Sequence, residues 1–211
     1  MLENIKCLGH STIKMVSDNK VIYFDPYNIK LEYKDADIIF ITHSHYDHFS
    51  EDDINKIKKE NTKIVISKDI YDNVLKLGFL KDNIIVVTPN NNYQIDNINF
   101  NTIPAYNIDK AFHSKNNNWV GYIFNINNYK YYIAGDTDIT EENKKVICDV
   151  AFLPIGGVYT MDYKEASILA NIIEPRIVVP IHYGFIVGNI EDAYKFKELL
   201  NDSIKCQIMI K

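Results

Sequence analysis

The hydrophobic positions of this chain change period several times, and each change marks an element. Residues 3–8, 11–16 and 20–25 carry short apolar runs separated by polar turns, of which Ser17-Asp18-Asn19 is the clearest, so the chain is expected to open as a β meander. Residues 37–42 form a continuous apolar run that is too short for a helix and rich in β-branched residues. Such a run predicts a strand covered on both faces. Ser50 with Asp53 three residues on has the spacing of a helix N-terminal capping box, and Ile54 and Ile57 carry a helical stripe to about residue 59. A strand over 62–67, a helix over 69–77 ended by Gly78 and a strand over 84–88 closed by Pro89 follow.

The second half repeats this order. Strands are expected over 93–95, 98–104, 119–125 and 129–134, with Asn127-Asn128 as a hairpin turn. A strand over 149–153, a helix capped by Asp162 with Glu165, a strand over 176–181, a helix over 191–200 and a last strand over 207–210 complete the chain. Both halves run from strands into α/β units, which predicts two sheets packed together with helices outside. No linker-like segment interrupts them, so residues 1–211 read as a single domain.

Charge narrows the partners. The formal net charge is −5, and the cations comprise 22 Lys but only one Arg, Arg176. That balance argues against a protein held mainly by nucleic-acid phosphates or anionic lipid, so neither nucleic acid nor membrane is an expected partner. It leaves room for a small-molecule substrate, including an anionic one, gripped by Lys, backbone or metal rather than by Arg forks. Cys7, Cys148 and Cys206 are far apart and odd in number, which indicates neither a disulfide framework nor a cysteine zinc site. The start, MLENIKC, has no secretory pattern and no apolar run approaches about 18 residues, so the expected location is cytoplasmic. The pattern is silent on oligomeric state.

Candidate chemistry concentrates in the histidines. Three of the six, His43, His45 and His48, fall within Thr42-His43-Ser44-His45-Tyr46-Asp47-His48-Phe49. In an extended stretch residues two apart point the same way, so His43, His45 and Asp47 are expected to converge. Imidazoles with a carboxylate suit a first-row divalent ion better than magnesium or calcium. Two more apolar runs end abruptly in a ligand type: residues 131–135 deliver Asp136, and residues 177–181 deliver His182. Asp136 alone also reads as a turn or cap residue, and His182 alone as a hydrogen-bonded core histidine. Ligands at the carboxyl ends of buried strands fit the usual position of α/β sites.

With these motifs the chain resembles the metallo-β-lactamase superfamily, whose His-x-His-x-Asp-His signature is matched by His43, His45, Asp47 and His48. Leu8-Gly9-His10-Ser11-Thr12, Asp25-Pro26, Ala134-Gly135-Asp136-Thr137-Asp138 and Pro180-Ile181-His182-Tyr183-Gly184 stand in the order of that superfamily. The Gly9-His10-Ser11 opening and Leu153-Pro154-Ile155-Gly156-Gly157 look like the small stand-alone branch related to ascorbate-6-phosphate lactonases. The resemblance implies an α/β, four-layer αββα sandwich of two mixed sheets flanked by helices, with a two-metal site along one edge. By carry-over, His43 and His45 hold one ion, Asp47, His48 and His182 the other, and Asp136 bridges them. Asp25 orients the histidine loop, and His10 is a further supporting residue.

One position departs from the family pattern. A third histidine for the first ion is expected near residues 102–107, where Asn107 stands. Asparagine offers a weaker, neutral oxygen, so that ion binds loosely, takes a water, or borrows His113. Zn2+ is the expected metal, with Mn2+, Fe2+ or Ni2+ as alternatives, in one or two copies.

The implied activity is hydrolysis of a lactone, ester or phosphoester in a small metabolite by a metal-bound hydroxide. Asp136 and Asp47 are the catalytic candidates, Asp47 either as ligand or as proton carrier. Tyr106, Lys110, His113, Tyr159, Thr160 and Tyr183 are candidates to orient substrate, while Trp119 reads as core. A phosphodiesterase or nuclease of the same fold and a non-catalytic binding or regulatory protein on this scaffold are the alternatives.

Overall fold

A computed structural model describes residues 1–210. The chain divides at Thr88-Pro89 into two compact units, residues 2–88 and residues from Pro89 onward together with Met1.

The first unit holds strands β1 (Ile5–Gly9), β2 (Thr12–Ser17), β3 (Lys20–Phe24), β4 (Ala36–Phe40), β5 (Lys58–Ser67) and β6 (Ile84–Val87), with helices α1 (Glu51–Ile57) and α2 (Tyr71–Lys76). Sheet order follows chain order, antiparallel from β1 to β3 and parallel from β3 to β6. Alternation assigns the faces: Tyr23, Ile39, Ile41, Ile64 and Ile66 pack with Ile54 and Ile57 of α1 and Val74 of α2. Ile22, Phe24, Ile38, Phe40 and Val65, on the opposite face, are buried as well. The continuous apolar run at 37–42 is therefore a doubly covered parallel strand, as its composition required.

The second unit holds β7 (Asn92–Ile95), β8 (Ile98–Pro104), β9 (Val120–Ile126), β10 (Tyr129–Ile133), β11 (Val150–Pro154), β12 (Ile177–Ile181) and β13 (Lys205–Cys206), with α3 (Tyr163–Ile173) and α4 (Ile190–Glu198). Its order is β13-β12-β11-β10-β9-β8-β7, antiparallel from β7 to β10 and parallel from β10 to β13. Tyr132, Ala151, Leu153 and Val178 pack with Ala166, Leu169 and Ala170 of α3 and with Ala193 and Phe196 of α4. Asn127 and Asn128 form the expected hairpin turn, both at positive φ (50° and 64°), the conformation a two-residue type I′ loop demands.

Asp162 closes the full capping box of α3: its Oδ1 accepts from Lys164 N and Glu165 N at 2.8 Å each, and Glu165 Oε2 accepts from Asp162 N at 2.9 Å. Asp162→Ala is expected to cost about 1 kcal/mol in urea denaturation, with Asp162→Ser retaining most of it. A loss below a few tenths would show that the cap is redundant.

At α1 only half the box forms. Asp53 N donates to Ser50 Oγ at 3.3 Å, but the Asp53 carboxylate accepts from the Ser50 hydroxyl (2.7 Å), Asn28 N (2.7 Å), Ile29 N (3.0 Å) and Lys56 Nζ (2.8 Å) rather than from Ser50 N. Burial opposes its ionisation, but these donors outweigh burial and hold the carboxyl below its ordinary pKa.

The last strand differs from expectation. It is the two-residue β13, and residues 207–210 are not a strand. The pairing proceeds through Lys205 N to Arg176 O (3.1 Å) and Gln207 N to Val178 O (2.9 Å), and the next β12 residue to donate across this edge is Pro180, which has no N–H.

No disulfide joins the three cysteines, and burial pushes the thiols of Cys7 and Cys148 up to about 12 and that of Cys206 up to about 11. No helix among the described residues is long and apolar enough to cross a membrane.

Candidate metal centre

In the first unit the histidine loop follows β4 and is anchored by Asp25, which follows β3 at φ 43° and is buried. Asp25 Oδ1 accepts from Thr42 N at 2.8 Å, and Oδ2 accepts from Thr42 Oγ1 at 2.7 Å. The single hydroxyl proton of Thr42 is thereby committed, so the contact between Thr42 Oγ1 and His43 Nδ1 at 3.0 Å puts the proton on His43 Nδ1. His48 Nδ1 donates to the same Asp25 oxygen at 2.8 Å. Asp25 and Thr42 together thus set both rings to the Nδ1–H tautomer and turn their Nε2 atoms to ligand duty.

His43 Nε2 lies 3.2 Å from His45 Nδ1, so these two converge as expected. Asp47 does not join them by simple alternation. The carbonyl of His45 accepts from His48 N (3.0 Å) and Phe49 N (2.7 Å), and this turn ends the extended stretch. Asp47 Oδ2 instead accepts from His10 Nε2 at 2.9 Å. His10, Asp47 and His48 each offer a ligand atom within 4.8 Å of the others. His10 occupies the left-handed region (φ 50°) after Gly9 (φ 127°), where β1 turns into β2.

In the second unit Asp136 follows β10 through Gly135 (φ 66°), and His182 follows β12 at φ 58°. Both are buried. His182 Nε2 lies 3.1 Å from Asp136 Oδ2, and His113 Nε2 lies 3.2 Å from the same oxygen. His113, also at positive φ (61°), is buried with its ring edge-on to Trp119 at 5.5 Å. Asn107, three residues past β8, donates from Nδ2 to Tyr159 O (2.7 Å) and Phe112 O (3.1 Å), with His113 Nδ1 at 3.3 Å from the same nitrogen.

The remaining candidates are engaged elsewhere. Tyr106 donates its hydroxyl to Glu142 Oε2 at 2.8 Å, and burial followed by that carboxylate raises the phenol's pKa. Lys110 pairs with Asp138, and Lys115 with Glu142 at 2.7 Å. Tyr183 is fully buried and donates to Ile210 O at 2.9 Å, so its hydroxyl serves packing of the carboxyl-terminal segment. Thr160 is buried and donates to Met161 O, while Tyr159 contributes its carbonyl to Asn107 and its ring to Phe112.

Sequence reasoning passed over two contributors. Thr42 sets the His43 tautomer, and its only signal was adjacency to the cluster. Asp138 clasps the loop after β8 by accepting from Ile108 N at 2.9 Å while pairing with Lys110.

The donor types suit a divalent transition ion, and so do the spacings. Bonds of 2.0–2.1 Å in tetrahedral geometry separate neighbouring ligand atoms by about 3.3 Å. The His43–His45, His113–Asp136 and His182–Asp136 separations of 3.2, 3.2 and 3.1 Å lie close to that edge.

Gly156, after β11, lets the backbone pass against His182. A Cβ there would lie 2.3 Å from His182 O, 2.6 Å from Val187 Cγ2 and 3.0 Å from His182 Nδ1. Gly156→Ala is therefore expected to displace His182 and lower activity about 10²-fold, the cost of a shift near 1 Å in a reacting group. Unchanged activity and metal content in that variant would show that His182 has room to move without consequence.

Comparison with known proteins agrees with this geometry. The family model of the beta-lactamase superfamily domain matches residues 4–182. A UPF0173 metal-dependent hydrolase of Thermococcus onnurineus is 30% identical over 98% of this chain and 95% of its own length, and one of Thermococcus kodakarensis is 32% identical over 97% and 95%. A candidate metal-dependent hydrolase from Parabacteroides distasonis, known from a crystal structure, superposes with a TM-score of 0.83 at 29% identity, covering 98% of this chain and 93% of that one. A candidate Zn-dependent hydrolase of the metallo-beta-lactamase superfamily from Thermotoga maritima, at 17% identity and a TM-score of 0.63 over 97% of this chain and 96% of that one, shares the fold. Two mixed sheets with four helices, buried histidine and carboxylate groups at strand ends and these relatives place the chain in the metallo-β-lactamase superfamily, as a metal-dependent hydrolase.

Proposed function

We propose that this hydrolase cleaves a carboxylic ester or lactone of a small metabolite with the help of zinc, with His43, His45, Asp47 and His48 of the first unit and Asp136 and His182 of the second as its metal-ligating residues. The observation that carries this reading is preorganisation: Asp25 and Thr42 fix the proton positions of His43 and His48 before any ion arrives. Imidazole-rich donors with carboxylates favour zinc, and manganese, iron and nickel accept similar sets.

A bound divalent ion supplies Lewis acidity toward an acyl oxygen and lowers the pKa of the water it holds. The chain's own residues do the rest. Asp25 keeps the proton on His48 Nδ1 and, by holding the Thr42 hydroxyl, the one on His43 Nδ1, and Asp136 presents one oxygen to two imidazoles. Asp47, held at Oδ2 by His10, is placed to take and return a proton at its carboxylate.

The choice of an acyl over a phosphoester bond rests on charge. Lys110 and Lys115, the cations of the loops beside Asn107 and His113, are committed to Asp138 and Glu142, and Arg176 is largely exposed with Asp149 at 3.9 Å. An uncharged carbonyl substrate needs no free cation.

The test is elemental analysis of protein purified without chelator, followed by turnover of lactones, carboxylic esters and phosphodiesters with the metal-loaded protein. Two ions and faster acyl than phosphodiester turnover are expected. Faster phosphodiester turnover would reverse the choice of bond, and absence of bound metal after reconstitution would remove the proposed centre.

A further inference from the structure

The loops that follow β8, β11 and β12 all belong to the second unit, and the side chains they turn to water are apolar. Ile108 and Phe112 stand on the first, Val158 on the second, and Phe185 and Ile186 on the third, and they are 37 to 68% exposed. Residues 155–161 and 183–190 contain no charged residue, and apart from His113 the titratable side chains of residues 107–113 are Asp109 and Lys110. Lys110 pairs with Asp138, so its ammonium is occupied. Single apolar side chains on a surface need no explanation, whereas several on adjoining loops mark a contact surface.

Hydrogen bonds and close packing make the three loops one surface. Asn107 Nδ2 donates to Tyr159 O at 2.7 Å, and the rings of Phe112 and Tyr159 meet edge to face with centroids 5.0 Å apart. These contacts join the loop after β8 to the loop after β11. The loop after β12 turns back on itself through Gly184 N to Val187 O at 2.9 Å, and it passes so close to Gly156 that a Cβ there would lie 2.6 Å from Val187 Cγ2. The surface runs on into the candidate centre. Phe112 precedes His113, whose Nε2 is 3.2 Å from Asp136 Oδ2, and Phe185 stands three residues past His182, whose Nε2 is 3.1 Å from the same oxygen.

We propose that these loops bind a hydrocarbon part of the substrate, so that the ester or lactone cleaved carries an acyl or alkyl chain of several carbons rather than a sugar or a phosphate. The proposal rests on the acyl-hydrolysis reading given above. Groups that would grip a sugar or phosphate are spent on the protein itself: Thr160 donates to Met161 O, the Tyr183 hydroxyl to Ile210 O and Lys110 to Asp138. A second copy of the chain is the other occupant with matching chemistry. Five side chains about half exposed offer roughly 500 Å2, short of the about 800 Å2 that each partner gives to a standard interface. An area of that order suffices to cover one side of a hydrocarbon chain, which favours the substrate.

Two measurements test it. In the first, uncleavable ketones of rising length, from acetone through methyl butyl ketone to methyl heptyl ketone, are titrated calorimetrically into the purified protein. In the second, p-nitrophenyl acetate, butyrate, hexanoate and octanoate are given to the metal-loaded protein. Ketone affinity is expected to rise about two- to fourfold per added methylene, the upper figure corresponding to full burial, and kcat/KM for the esters to rise in step. Phe112→Ser and Phe185→Ser are each expected to lower the octanoate-to-acetate ratio of kcat/KM about tenfold. Ile147→Ser, which alters an equally exposed apolar residue before the start of β11 rather than past its end, is expected to keep the wild-type ratio.

Ketone affinity and ester turnover that do not change with chain length would overturn the proposal. So would a wild-type dimer in sedimentation that Phe112→Ser converts to a monomer, since the surface would then belong to a second copy. The two readings fail separately. Ketone binding that tightens with length in a metal-loaded protein that cleaves no ester would keep the hydrocarbon surface and remove the acyl-hydrolysis reading, whereas esters cleaved at rates independent of length would keep that reading and remove the surface.

Discussion

Asp136→Ala is expected to lower ester or lactone turnover by about 10³-fold or more, corresponding to roughly 4 kcal/mol of lost transition-state stabilisation. Bound metal should fall by at least one equivalent in the same protein. One oxygen, Asp136 Oδ2, is the shared neighbour of His113 Nε2 at 3.2 Å and His182 Nε2 at 3.1 Å. Removing it takes away the contact common to both rings and the negative charge that would offset a bound cation. Asp136→Asn separates these contributions, because it keeps the shape and loses the charge. Elemental analysis and initial rates on both variants check the expectation, and wild-type rates with full metal in Asp136→Ala would refute the assignment of Asp136.

The second large effect is expected from Asp25→Ala, and here stability is the primary readout. Asp25 is 1% exposed and accepts from Thr42 N, Thr42 Oγ1 and His48 Nδ1 at 2.8, 2.7 and 2.8 Å. Truncation leaves three buried donors facing a cavity, and at about 1–3 kcal/mol for each unsatisfied donor a loss of roughly 3–5 kcal/mol is expected. Against a typical total of about 5–15 kcal/mol, about a fifth or more of the stability would go, visible as a lower urea midpoint. Metal affinity should fall as well, because His48 loses its acceptor and the freed Thr42 hydroxyl no longer fixes the proton on His43 Nδ1. Asp25→Asn keeps an acceptor for Thr42 N and should lose less. A change below 1 kcal/mol in Asp25→Ala would mean that the histidine loop is held by something other than this carboxylate.

Much of the fold was legible because its elements differ in period and composition. The β-branched run at 37–42, the Asn127-Asn128 turn and the Asp162 box each announce one local structure, and each forms. The failures have local causes too. The Ser50 box is only half made because Asp53 spends its carboxylate on Asn28 N and Ile29 N, some 24 residues away. The last strand is cut short by the missing N–H of Pro180 on its neighbour, a fact about pairing that the 207–210 segment itself does not contain.

At the site, residue types were readable and their partners were not. His43, His45, Asp47, His48, Asp136 and His182 stand out as ligand types at the ends of apolar runs. That Tyr106, Lys110 and Tyr183 are committed to Glu142, Asp138 and Ile210 could not be read from nearness in sequence. Nor could the turn at His45 that sends Asp47 to His10.

The sequence by itself determined that the strand at 37–42 is buried on both faces, which apolar runs end in ligand-type residues, and the superfamily, because hydrophobic period and residue type are properties of contiguous stretches. Only the tertiary structure decided which nitrogens of His43 and His48 keep the proton and which loop residue reaches Asp136. Those depend on backbone in the left-handed region at His10, Asp25, His113 and His182 and on hydrogen bonds between residues 17 to 52 positions apart. A chain acquires such geometry only once packing holds it there, since neither strained φ nor long-range donors are favoured by any local pattern.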